Sequence, residues 1–187
     1  MENKEKIILD LCGGTGSWSR PYVEAGYDVR VITLPEQDIL TYRPPRNVYG
    51  ILAAPPCTEF SLAKSTKPRD FERGLVTVRR CLEIIWECRL SNKLSFWVVE
   101  NPRSFLRQFL GKPVYTFEQW EFGDNGIKPT DLWGYFNEPS KTETDRGKRK
   151  SVRYPNGSYN AVGWSKSAEK RAITPQGFAK AFFKVNQ

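Results

Sequence analysis

Residues 48–61, VYGILAAPPCTEFS, constrain the fold of this chain more tightly than any other stretch. The apolar run Tyr49–Ala54 has the length and composition of a buried strand. Pro55-Pro56 then withholds two backbone donors, so no ladder continues, and Cys57 follows at once. This order predicts a thiol held on a stiff turn at the carboxyl end of a strand, where open α/β sheets place their chemistry. A lone cysteine is as readily a small buried apolar residue. The flanking sequence has to decide between the two.

Two further apolar runs end in the same way. Residues 6–11, KIILDL, close on Asp10 and lead into Cys12-Gly13-Gly14-Thr15-Gly16-Ser17. A helical pattern from Trp18 to Ala25 and a second strand from Tyr27 to Leu34 follow. Strand, glycine turn, helix and strand form the opening unit of a nucleotide- or cofactor-binding α/β fold. The glycines let the backbone turn tightly and approach a ligand. Asp10 argues against a bound pyrophosphate and for a ligand carrying an amine, as S-adenosylmethionine (SAM) does. The third run, Leu94–Val99, ends in Glu100-Asn101-Pro102, which brings a carboxylate to the edge expected to hold Asp10 and Cys57. Glu100 as a cap or ion-pair partner of a helix over Arg103–Leu110 is the competing reading.

Phe71 to Asn92 reads as a long helix, with Leu75, Val78, Leu82, Ile85 and Trp86 forming a core stripe that includes Cys81 and Cys88. Val114–Phe117 and Leu132–Phe136 read as strands pairing antiparallel across the turn at 123–126. Thr174-Pro175 is expected to cap a last helix over Gln176–Asn186, Thr at the cap and Pro in its first turn. At 187 residues with six Trp, one packed domain is the expectation.

The chain contains no histidine, which excludes His-based triads and His-containing zinc sites. Its four cysteines form no CxxC pair, which speaks for a reducing compartment and against a Cys-only metal site. No apolar run is long enough to span a bilayer and the N-terminus lacks a signal-peptide profile, so a soluble cytoplasmic protein is expected. The net charge of +8 is concentrated. Residues 64–80 carry six basic side chains against two acidic, and residues 137–172 carry nine against four. Two basic segments on an otherwise neutral body suggest a polyanion footprint, nucleic acid first. Solvated loops rich in Lys and Arg are the plainer alternative.

Taken in order, these landmarks resemble the cytosine-C5 methyltransferase family of DNA-modifying enzymes. Residues 10–18, DLCGGTGSW, resemble its first cofactor motif, DLFxGxGG followed by an aromatic. APPCTEFS resembles its GPPCQxFS motif, Val99-Glu100-Asn101-Pro102 its ENV motif, and residues 170–175, KRAITP, its late RxLTPxE stretch. The resemblance implies a Rossmann-like class I methyltransferase fold and SAM as cofactor. It implies Cys57 as the nucleophile that adds to cytosine C6, and Glu100 as the acid at N3. It implies Asp10, Cys12, Gly13, Gly14, Gly16, Trp18 and Pro55 at the cofactor, and DNA as partner, with RNA possible. No metal and no membrane are implied. Ser61, Lys64, Lys67, Arg69, Lys128, Lys148, Arg149 and Lys150 are the expected nucleic-acid contacts, the basic 64–80 loop closing behind a flipped base.

The departures are specific. ENV is ENP, Thr58 and Glu59 stand where the family favours Gln and Gly, and no arginine matches the family's QxRxR, Lys128 being the nearest cation. No acid ends the second strand, which leaves Glu36 or Asp38 for the ribose. Residues 137–172 replace a large target-recognition region, as in small phage- or prophage-borne members acting in a bacterial or phage-infected cell. Two other functions stay open: methylation of RNA or of an exocyclic base amine, and non-catalytic nucleic-acid binding.

Overall fold

Short runs of apolar residues with no polar alternation must be buried on both faces, and helices on both sides of a mostly parallel sheet provide that burial. The computed structural model describes residues 2–62, 64, 68–90, 94–124, 128–145, 152–153, 159–160 and 172–187. A six-stranded sheet runs in the order β2-β1-β3-β4-β6-β5, formed by β1 (Ile7–Leu11), β2 (Asp28–Ile32), β3 (Val48–Ala53), β4 (Phe96–Pro102), β5 (Tyr115–Phe117) and β6 (Thr130–Tyr135). β2, β1, β3 and β4 are mutually parallel, and β6 is antiparallel to both of its neighbours. A separate antiparallel pair joins β7 (Val152–Arg153) to β8 (Tyr159–Asn160).

The described residues also form the α-helices α1 (Arg20–Glu24), α2 (Phe71–Leu90), α3 (Arg107–Leu110) and α4 (Gln176–Val185), with short 3-10 turns at Asn3–Glu5 and Gln119–Phe122. The two-residue period of the strands divides the core. Leu9, Leu11, Ile51, Ala53 and Val99 face α2, while Ile8, Leu52, Phe96 and Val98 face the aromatic cluster of Trp18, Tyr22, Phe178 and Phe182 from the α1 and α4 side. By the same parity Asp10 and Glu100 stand on the α1 and α4 face of the sheet. The chain passes from β1 to β2 on one side and returns to β3 on the other, so the connections diverge between β1 and β3. That divergence opens a crevice at the carboxyl ends of both strands.

The antiparallel pairing of the strands before and after the 123–126 turn is present as β5 with β6, although β6 begins two residues earlier than expected. Two expectations require correction. Trp86 is 60% exposed, because the buried face of α2 runs through Val78, Cys81, Ile84, Ile85 and Cys88 and turns Trp86 outward. Thr174 does not cap α4. Pro175 occupies the cap position without a side-chain bond, the Thr174 N–H donates to Ser17 Oγ at 3.0 Å, and Asp124 Oδ2 accepts the Gly177 N–H at 2.8 Å. A remote carboxylate thus satisfies the helix start. Among the described residues no helix is long and apolar enough to cross a membrane.

Candidate active site

The crevice holds a cavity of about 460 Å3. Its walls are the segments that follow the parallel strands: Asp10, Cys12, Gly13, Gly14 and Trp18 after β1, Thr33 to Glu36 after β2, Ala54 to Cys57 after β3. Glu100 and Pro102 of β4, Lys128, and Ala172 to Thr174 close it. Both expected catalytic residues therefore line one space together with six of the seven expected cofactor residues. Gly16 does not line it. Its φ of +67° turns the chain toward α1, where Val31 packs against it.

Asp10 is the most unusual group in the cavity. It is fully buried, Ser19 Oγ donates to its Oδ2 at 2.6 Å, and its Oδ1 has no partner among the described residues. Burial raises the carboxyl from 3.8 to about 6, against the pull of the Ser19 hydroxyl and N–H. An unpaired buried acceptor is costly, and one in a cavity wall is an offer to a ligand donor. Space beside it is tight. A Cβ built on Gly13 would lie 2.4 Å from the Asp10 Cγ, so only glycine fits there. Trp18 is 2% exposed, packs against Phe178 and Phe182 with ring centroids 5.8 and 5.6 Å away, and also keeps an unpartnered Nε1–H among the described residues.

The Cys57 turn is braced from two sides. Asn101, fully buried beside Glu100, donates from Nδ2 to the Pro55 carbonyl at 2.9 Å, and the Ala54 N–H bonds the Leu11 carbonyl at 2.9 Å. The Cys57 carbonyl accepts the N–H groups of Phe60 and Ser61 at 3.0 and 2.8 Å, which winds one helical turn behind the thiol. Cys57 itself is half-buried and not in a disulfide. Glu100 is half-buried. Burial pushes its carboxyl above the usual range; the Lys128 charge opposes this and Asp131 reinforces it. Asp131, fully buried on β6, is held by Arg107 and by Thr116 Oγ1 at 2.8 Å. A thiol and a carboxyl biased toward its acid form therefore share one cavity, which suits addition of sulfur to an electrophilic ring with proton donation to a ring nitrogen.

The basic loop departs from expectation. Glu59, two residues after Cys57, pairs with Lys64 and accepts the Asp70 N–H at 2.8 Å, which holds its carboxyl below the usual range, Lys64 being the larger cause. Arg69 donates to the carbonyls of Glu59, Ser61 and Lys64, each at 2.9 Å, and lies 4.5 Å over the Phe105 ring. Lys64 and Arg69 thus fold the loop onto the Cys57 turn, and neither lines the cavity; nor does Ser61. Of the expected nucleic-acid contacts among the described residues, Lys128 alone does. Lys67, Lys148, Arg149 and Lys150 lie outside the described residues.

Sequence reasoning missed Ser19 and the bracing role of Asn101. Ser19 sits nine residues from Asp10, with no periodic signal to link them. Glu36 lines the cavity, whereas Asp38 caps its own loop by accepting the Leu40 N–H at 2.9 Å. Among the described residues no cluster of His, Cys, Asp or Glu could hold a metal ion. No protein-family model matches this chain, and no curated protein matches its sequence.

Proposed function

We propose that this protein is a SAM-dependent methyltransferase of Rossmann-like fold that modifies C5 of cytosine in DNA through a covalent Cys57 adduct. The observation that carries the reading is the convergence of Cys57, Glu100 and the unsatisfied Asp10 on one cavity at the divergence of β1 and β3. The cavity lies in the range of roughly 300–1,000 Å3 usual for sites of drug-sized ligands. Among the described residues Asp10 Oδ1 lacks a donor, the Gly14 turn leaves open space, and Glu36 and Trp18 add a carboxylate and an aromatic wall. These groups fit a ligand bearing an amine, ribose hydroxyls and a flat base. When bound, SAM supplies an electrophilic methyl group.

The chain's own residues account for the rest. The Cys57 thiolate adds to cytosine C6 while Glu100, whose burial favours its acid form, gives its proton to N3. The electron pair displaced from the C5–C6 double bond then makes C5 nucleophilic. After methylation, loss of the C5 proton to water expels the Cys57 thiolate, and N3 returns its proton to Glu100. Asn101 keeps the thiol in register with the ring. The base has to leave a duplex to reach this depth, and the net charge of +8 favours a polyanionic partner in the cytoplasm.

The test is a mechanism trap. With SAM and duplex DNA containing 5-fluorocytosine, the protein is expected to form a denaturant-stable adduct that is absent in Cys57→Ala. Methyl transfer from SAM that survives Cys57→Ala would refute the thiol mechanism. An adduct on RNA and none on DNA would reassign the acceptor.

A further inference from the structure

Arg103 directly follows β4, the strand that carries Glu100, and takes no part in the chemistry above. Its N–H donates to the Pro129 carbonyl at 2.9 Å, which ties the exit of β4 to the entry of the antiparallel β6. On the near side of this tie, Pro102 and Lys128 line the main cavity. On the far side, Arg103 and Pro129 line a second cavity of about 230 Å3, together with Glu118, Glu121 and Lys141. The two spaces therefore adjoin along one edge of the sheet, with a single pair of tied segments as the wall between them. We propose that Arg103 binds the backbone phosphate next to the base that enters the main cavity, at the mouth of this second cavity. The proposal rests on reading the main cavity as a cytosine site in a nucleic-acid strand.

Which donors stay open decides the ligand. Glu118 Oε2 accepts the Trp120 Nε1–H at 2.6 Å. Glu121 accepts Lys141 Nζ at 2.7 Å and the Glu118 N–H at 2.7 Å. Both carboxylates and the ammonium are thus engaged within the wall. Arg103 is exposed, and its guanidinium makes no hydrogen bond or ion pair among the described residues. Arg69, Arg80 and Arg107, by contrast, spend their donors on carbonyls and carboxylates of the fold. The guanidinium of Arg103 offers five N–H donors in a planar fork that matches two oxygens of one phosphate.

The spacing suits a strand that already has one base in the main cavity. Consecutive Cα atoms lie about 3.8 Å apart, and a nucleic-acid strand advances about 3.4 Å per phosphate along its axis. A nucleotide seated against Pro102 therefore brings a flanking phosphate within reach of Arg103. The bond to Pro129 fixes the backbone from which that side chain extends.

The first arm of the experiment measures binding of the native full chain to a labelled mixed-sequence DNA duplex without SAM, across a sodium chloride series. Arg103→Gln should bind about tenfold more weakly at low salt. The slope of log K against log salt should be shallower by about 0.9, the share of one phosphate. Arg103→Lys should keep most of the slope. Lys4→Gln, which removes an exposed cation ahead of β1, should leave it unchanged. Equal slopes for wild type and Arg103→Gln, or an equal fall in Lys4→Gln, would overturn the contact. The second arm traps the protein with SAM on duplex containing 5-fluorocytosine and replaces single phosphates by neutral methylphosphonates. A methylphosphonate at one linkage flanking the trapped base should slow adduct formation about tenfold in wild type and no further in Arg103→Gln. Equal slowing of both proteins at the flanking linkages would overturn the position next to the base. If no adduct forms on DNA, the proposed function fails, while a salt-slope difference confined to Arg103→Gln still supports the phosphate contact.

Discussion

Replacing Asp10 with Asn should change the pH dependence of stability by an amount the structure sets. The Asp10 carboxyl is raised from 3.8 to about 6 by burial, so the folded state binds its proton more tightly than the unfolded chain does. Stability linked to that proton is present below 3.8 and is lost as pH rises through about 6. At about 1.4 kcal/mol per pKa unit, ionised Asp10 costs the fold about 3 kcal/mol at pH 7, against about 0.6 kcal/mol at pH 4. Asn is nearly isosteric and does not titrate, although its amide N–H group is buried where the Asp10 Oδ1 has no partner among the described residues. That packing cost, about 1–3 kcal/mol, is independent of pH. The stability of Asp10→Asn relative to wild type should therefore rise by about 2 kcal/mol between pH 4 and pH 7. Urea unfolding of both proteins across this range measures it, and calorimetry at pH 7 should show weaker SAM binding by the variant. Parallel stability profiles for the two proteins would refute the claim that Asp10 is ionised at a cost in the folded state.

Three other perturbations separate the causes. Gly13→Ala forces a Cβ into the Asp10 carboxylate and should cost about 1–3 kcal/mol in chemical unfolding along with ligand binding. Gly14→Ala meets no neighbour and should cost only the left-handed backbone at φ +55°, about 1–2 kcal/mol. Asn101→Ala removes the brace on the Pro55 carbonyl and should lower stability by about 1–3 kcal/mol. Its turnover should fall by a larger factor than its SAM affinity; equal losses would show that Asn101 only supports the fold. In the proposed mechanism Glu100 works as an acid, and its carboxyl is raised by burial, so turnover should decline as pH climbs past that raised value. Glu100→Gln should be slow and lack this alkaline decline, and an unchanged pH–rate profile in the variant would remove Glu100 from the proton path.

What could be read in the sequence was whatever a strand announces locally. β1, β3 and β4 are apolar runs stopped by glycine or proline, and the residues at those stops are the cavity wall. The divergence between β1 and β3 follows once the runs are counted as parallel strands. Contacts between distant segments left no such signal. Asn101 reaches back to Pro55 and Thr174 to Ser17, and nothing in either local pattern specifies the partner. Trp86 satisfies a helical period, but the period alone does not say which edge of the stripe meets the sheet. Thr174-Pro175 has the composition of a cap, and tertiary docking of the Thr174 N–H overrides it.

Glu59, close behind Cys57, is one of the positions at which this sequence departs from the motif it resembles, and its neighbours explain how it is tolerated. A carboxylate at Glu59 would repel a polyanion if it faced outward. Here Lys64 and the Asp70 N–H hold it within the loop, and Arg69 ties three carbonyls around it. The cost is borne by the loop's positive side chains. Arg80 is likewise engaged with Glu83, Glu87 and the Tyr42 carbonyl. Three of the six basic residues in 64–80 thus have their donors committed inside the protein. Such cations still contribute to the long-range field that draws in a polyanion, but they have few hydrogen bonds left to give a phosphate. Among the described cations expected to meet nucleic acid, Lys128 is the one that lines the cavity. The bonds of Lys64 and Arg69 to Glu59 and Ser61 brace the helical turn that follows Cys57.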